Sequence, residues 1–240
     1  MLKKYNRVII EIDSVLNALK EQPAGVSPEK NAGTREKLGD LYCESAELEQ
    51  NMEKYRQAVA SYGEALKVFT LCTHPAEYAS VQFKLGVLFA KLAENNTGSM
   101  VENHKKSVAA YEEALKVYSA EGYEENLAKT QAGLGLVKQA ISAMREKMET
   151  YKNEIKQFRE TLAQCIMEGS PAKYADIHYN IAKAYQKMAE TSGDHESCEK
   201  AIDSFKETLK VRTLAGHPKE YASAHFHLGK IYLTLKKIEP

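Results

Sequence analysis

The sequence predicts an all-α fold in which helical hairpins stack along one array. Three observations carry that prediction. The block Tyr62-Gly63-Glu64-Ala65-Leu66-Lys67-Val68-Phe69 returns 49 residues later as Tyr111-Glu112-Glu113-Ala114-Leu115-Lys116-Val117-Tyr118, with weaker copies at Phe158 and Phe205, each a further 47 on. A fixed period of this length is the mark of a solenoid of similar units. Second, the apolar spacing is helical: Tyr55, Ala58, Val59, Tyr62, Ala65, Leu66 and Phe69 form one stripe on a helix, and no stretch sustains strand alternation. Third, Pro28, Pro75, Pro171 and Pro218 occupy equivalent places, each preceded by a polar residue, and Glu124 stands at the fifth. Proline at the first helical position lacks only an N–H that would be unpaired anyway.

About ten antiparallel helices follow in order. A leading helix over 3–21 carries the stripe Val8, Ile12, Val15, Leu16, Leu19 and ends in an Ala18-Leu19-Lys20 echo of Ala65-Leu66-Lys67. Helix 28–46 starts at Ser27-Pro28, and 51–70 holds the Tyr55–Phe69 stripe. Helix 75–94 starts at His74-Pro75 and runs into a loop at Glu94–Ser99, and 101–119 holds the second copy of the block. Helices 124–143 and 148–168 come from Glu124 and Phe158, 171–190 from Ser170-Pro171, 195–214 from Phe205, and the terminal helix 218–237 from His217-Pro218. The repeat spans the chain, so the expectation is one continuous domain over 1–240.

Bulk properties narrow the function classes. Formal net charge is zero over 240 residues, without the basic excess that general nucleic-acid binding or an acidic membrane surface requires. The apolar run Val8-Ile9-Ile10 is too short for a signal peptide, and no stretch approaches the ~20 apolar residues of a membrane span. Cys43, Cys72, Cys165 and Cys198 have no CxxC spacing and share no repeat position. They read as free thiols in a reducing compartment, hence a cytoplasmic protein. Asn95-Asn96-Thr97 reads as a polar loop.

A second set of residues interleaves with the first. One helix of each unit carries Leu38-Gly39-x-x-Tyr42, Leu85-Gly86-x-x-Phe89, Ile181-Ala182-x-x-Tyr185 or Leu228-Gly229-x-x-Tyr232. The other carries Ala58-x-x-x-Tyr62, Ser107-x-x-x-Tyr111 or Ala201-x-x-x-Phe205. Small residues let helices approach and aromatics fill the holes opposite them. These motifs resemble the tetratricopeptide repeat over nearly the whole chain, in a long-repeat variant of bacterial type. Two departures stand: the chain has no Trp, and the period is 47–49 rather than ~34.

The resemblance implies a right-handed α-α superhelix, a non-catalytic scaffold, and a concave face lined by the first helix of each unit, where a partner protein or extended peptide binds. An alternative is a regulatory module that senses a peptide or small ligand and signals by a change of superhelical twist. On that face lie Phe83, Lys84 and Val87, then Lys129, Gly133 and Leu136, then Tyr179, Asn180 and Lys183, then Phe226, His227 and Lys230. Small Gly133 and its neighbours, between Phe83 and Tyr179, suggest a pocket for one apolar anchor. The later units are rich in lysine while the first shows Glu36, Asp40 and Glu44. That suits a mostly acidic peptide with an apolar anchor. The family's carboxylate clamp needs Asn after the Leu-Gly pair, where this chain has Asp40, Val87, Leu136, Lys183 or Lys230, so recognition of that type is disfavoured.

No cofactor or metal is expected. His225 and His227 are two apart and point to different sides of a helix, and no nucleophile–base pair or phosphate loop is evident, so the chain does not read as an enzyme. The array begins with a helix of the second kind and ends with one of the first, both carrying apolar residues to spare. Ile9, Ile10, Leu233 and Leu235 are therefore the expected self-association residues, giving a homodimer through a terminal helix, with docking on a neighbouring domain of a longer chain as the alternative.

Overall fold

A computed structural model describes residues 2–21, 27–95, 100–120 and 122–238. Among these residues every regular element is an α-helix. In order they are α1 (Leu2–Lys20), α2 (Pro28–Glu49), α3 (Met52–Ala65), α4 (Pro75–Asn95), α5 (Met100–Ala120), α6 (Glu124–Glu168), α7 (Pro171–Ser192), α8 (His195–Val211) and α9 (Pro218–Ile238). Pro28, Pro75, Pro171 and Pro218 each open a helix, and Glu124 opens the fifth.

The hairpins turn where local chemistry demands it. Gln50 closes α2 in the left-handed region (φ 51°), and Asn51 caps α3 by accepting from the Glu53 N–H at 2.9 Å. Gly193 closes α7 at φ 68°, which glycine adopts without strain, and Asp194 caps α8 by accepting from the Ser197 N–H at 2.7 Å. The helix expected over 51–70 stops at Ala65. The chain then winds through turns held by Val68 N–H and Phe69 N–H to the Ala65 carbonyl, and Phe69 is still buried. The loop expected at Glu94–Ser99 falls mostly on 96–99, outside the described residues, as do Asn96 and Thr97 of the sequon.

One expectation fails. The helices placed at 124–143 and 148–168 are a single 45-residue helix, so nine helices and not ten occupy the described residues. Residues Met144-Arg145-Glu146-Lys147-Met148 contain no Gly, Pro, Asn or Ser. All five are strong helix formers, and nothing there caps or breaks the backbone.

The chain packs as two compact units. The first holds α1 to α4, α5 from Glu102 and α6 as far as Lys138; the second holds α6 from Gln139, with α7, α8 and α9. In the first, Tyr62 and Phe69 pack with Val81, Leu85 and Leu88. In the second, Phe205 and Cys198 pack with Ile181, Tyr185, Met188 and Ile231, and Phe158 and Leu162 of α6 lie against them. The small-to-aromatic fit holds across the α2–α3 and α4–α5 hairpins: a Cβ on Gly39 would stand 2.5 Å from the Tyr62 ring, and one on Gly86 2.7 Å from the Tyr111 ring.

Candidate functional site

A concave groove of about 720 Å³ lies within the second unit. The last turns of α6 form one wall and the start of α8 the other. Met148, Ile155, Tyr185 and Met188 give it an apolar floor. Ile155 and Tyr185 are buried because they also close the core beneath. A pocket of this size with an apolar base has the dimensions of a ligand or anchor-residue site.

Four cations, Lys152, Lys156, Arg159 and Lys200, share its rim with Glu160, Asp194 and Glu196. Arg159 donates from Nη2 to the Tyr185 hydroxyl at 2.9 Å, which fixes the guanidinium over the floor. Lys200 lies 5.7 Å from the Tyr185 ring centroid and pairs with Glu196. Lys152 pairs with Glu149 at 3.8 Å, while Lys156 makes no ion pair or hydrogen bond among the described residues. Of the acids, Asp194 is committed to the α8 cap. Burial works to raise its pKa, but bonds from Ser192 and Ser197 outweigh that and hold it below the usual carboxylate range. Beneath the groove, burial pushes the Cys198 thiol up to about 11, so it is an inert core group.

The residues expected on a concave face have mixed fates. Lys84 does not belong to a free basic stretch: it bridges Glu36 at 2.9 Å and Asp40 at 2.7 Å, so the acidic and basic ends expected of the groove neutralise each other here. Gly133 is no pocket floor, because the Tyr111 hydroxyl stands 2.7 Å from where its Cβ would be. Phe83 packs on Tyr111, centroids 5.9 Å apart. Tyr179 and His227 pack on Phe205, His227 stacked at 9° and bonded to Gln186 Oε1 at 2.8 Å. These four are internal packing groups, filling space between repeats as the aromatics of the motif do.

Other candidates remain on the surface. Lys129 is exposed and pairs with Glu125, Asn180 is exposed, and Val87 is half-buried. Lys183 lies 5.7 Å over the Tyr179 ring, and Lys230 pairs with Glu190 at 3.8 Å. Leu136 and Phe226 are exposed apolar groups at 68% and 65%. Of the self-association candidates, Ile10 and Leu233 are exposed, whereas Ile9 and Leu235 are half-buried against core clusters. His178 and His225 each stack on the tyrosine four residues before, both at 4.4 Å, so their repetition is a packing motif. Among the described residues no three His, Cys, Asp or Glu side chains converge as a metal site would require, and no helix is long and apolar enough to cross a membrane.

Sequence reasoning missed the groove of the second unit. Its residues sit on the back half of α6 and the start of α8, away from the helices the family pattern marks. One signal was present: Lys152, Lys156 and Arg159 are spaced by four and three residues, which puts three cations on one side of a helix.

No family model matches this chain. No curated protein matches it. Among solved structures the chain is similar to BtubC (BKLC) from P. vanneervenii at 16% identity, covering 99% of this chain and 85% of that one, with a TM-score of 0.37, too low to define a shared fold.

Proposed function

We propose that this protein is a non-catalytic, tetratricopeptide-like interaction module that binds an extended segment of a partner protein. The bound segment carries an apolar anchor flanked by acidic residues. The observation that carries this reading is the second unit's groove, an apolar floor of about 720 Å³ under Arg159, Lys156, Lys152 and Lys200. An apolar side chain fits the Met148–Met188 floor. Carboxylates beside it meet Lys156, which has no partner among the described residues, and Arg159, already oriented by Tyr185. The site differs from the concave-face residues the sequence suggested, because several of those are spent on internal packing. Four free thiols accord with a cytoplasmic setting, and a net charge of zero accords with a protein rather than a nucleic-acid partner.

The test is selection from a random displayed-peptide library, followed by anisotropy titration of the enriched peptides. Enriched sequences should pair one Leu, Ile, Phe or Met with nearby Asp or Glu. Lys156→Glu with Arg159→Glu should weaken binding about tenfold or more, as loss of ~1.4 kcal/mol or more implies. No enrichment, or affinity unchanged in that variant, overturns the reading.

A further inference from the structure

The unbroken α6 leaves one hairpin open on both sides. The helices of the first kind α2, α4 and α7 are each covered by the helix that follows. Ala32, Ala79 and Ala175 are at most 1% exposed, and Gly39 and Gly86 receive the rings of Tyr62 and Tyr111. In α6 the equivalent Ala128 is exposed and Gly135 has nothing within 4 Å of its Cβ position. The missing cover is written in the chain as 148–168, but those residues continue the same helix. Gly135 and Phe158 are 23 residues apart, so a continuous helix holds them about 34 Å apart. The covering half is open too. Ala58, Ala65 and Ala201 of sister helices are fully buried, whereas Thr161 is exposed and Glu154 half-buried.

We propose that a second copy of this chain closes the hairpin by reciprocal exchange. Residues 148–168 of each copy lie on 124–143 of the other, in a two-fold arrangement. The pairing repeats contacts already present within the molecule. Thr161 meets the Ala128 carbonyl as Thr208 Oγ1 meets Ala175 O at 3.3 Å. Phe158 enters the Gly135 slot as Tyr62 enters that of Gly39. Glu154 faces Lys138, which within one copy pairs with the exposed Glu112 at 3.4 Å. A second copy fits better than an unrelated helix because both complementary halves, with matched charge at Lys138 and Glu154, belong to this one sequence. A hinge held straight by helix formers favours exchange over closure within a chain. This interface is separate from the peptide groove and stands without it.

Two measurements test it on the full chain. Light scattering should give twice the 26.9 kDa chain mass, and Gly135→Leu, whose Cβ meets nothing within 4 Å in a lone chain, should return the protein to a single mass. In a Cys72→Ser background, Ala128→Cys with Thr161→Cys should form a disulfide between chains, absent from either single variant. A single-chain mass for the parent, a dimer that survives Gly135→Leu, a disulfide within one chain, or a pair left as free thiols overturns the proposal.

Discussion

Tyr62 lies so close to Gly39 that a Cβ there would stand 2.5 Å from its ring, while its hydroxyl donates to Asp40 Oδ1 at 2.7 Å. One side chain thus ties α3 to α2 by both packing and a charge-assisted bond. Burial, with the Asp40 carboxylate beside it, drives the phenol pKa far upward, so Tyr62 remains a donor at all working pH.

That fit predicts opposite outcomes at two equivalent glycines. Gly39→Ala forces the buried Tyr62 ring to shift and should destabilise by roughly 1–3 kcal/mol. Gly229, at the same repeat position in α9, has nothing within 4 Å. Gly229→Ala should therefore stabilise by about 0.5–1 kcal/mol through helix propensity alone. Urea denaturation of the two variants checks the contrast.

Lys84 joins Tyr62, Glu36 and Asp40 in one network. Its partial burial lowers the ammonium pKa, but the two carboxylates outweigh that and raise it. Lys84→Met should destabilise by about 1–3 kcal/mol, because it leaves two half-sheltered carboxylates facing each other without a cation. Adding Glu36→Gln to Lys84→Met should recover part of the loss, which a double-mutant cycle in urea measures.

Three histidines set the acid side of the stability profile. Burial lowers the pKa of His104, His178 and His227 from the ordinary 6.5, with Lys183 and Lys230 adding to the effect at His227. The folded state favours neutral rings, so the unfolded chain takes up protons first as pH falls. Stability is full above about 6.5 and declines as pH drops from there towards the lower folded values. Asp194 acts lower, because its depressed carboxyl pKa contributes above 3.8 and is lost only below it. The urea midpoint should fall between about pH 7.5 and pH 5.5, and His227→Gln should flatten that slope.

Glu146 lies in the middle of α6, where the repeat phase had placed a loop. Glu146→Pro removes a helical hydrogen bond and should cost about 3 kcal/mol or more. A true inter-helix loop would tolerate the change with little loss, so thermal or urea unfolding separates the two.

Most helix starts were legible because they rest on local chemistry: Ser27-Pro28 and Ser170-Pro171 announce themselves within two residues. The hairpin fit was legible from the 47-residue spacing of Gly39 and Gly86 and the 49-residue spacing of Tyr62 and Tyr111. The turn at 144–147 was misplaced because the repeat phase was followed where no breaker residue supports it. The Lys84 network was invisible in sequence, since its partners lie 44 and 48 residues away on a neighbouring helix. The groove was missed because it depends on which turns of α6 rise above the α7–α8 core, a matter of packing and not of motif.

The continuity of α6 underlies the open hairpin, the exchange proposed from it and one wall of the groove. Its most direct test is a pulsed-EPR distance between spin labels at Gln131→Cys and Gln164→Cys in a Cys72→Ser background, with excess unlabelled chain to remove contacts between copies. The two positions are exposed and 33 residues apart on one helix, so the predicted separation is about 50 Å. A distance near 20 Å or less would mean that α6 folds back as two helices, and would contradict the account.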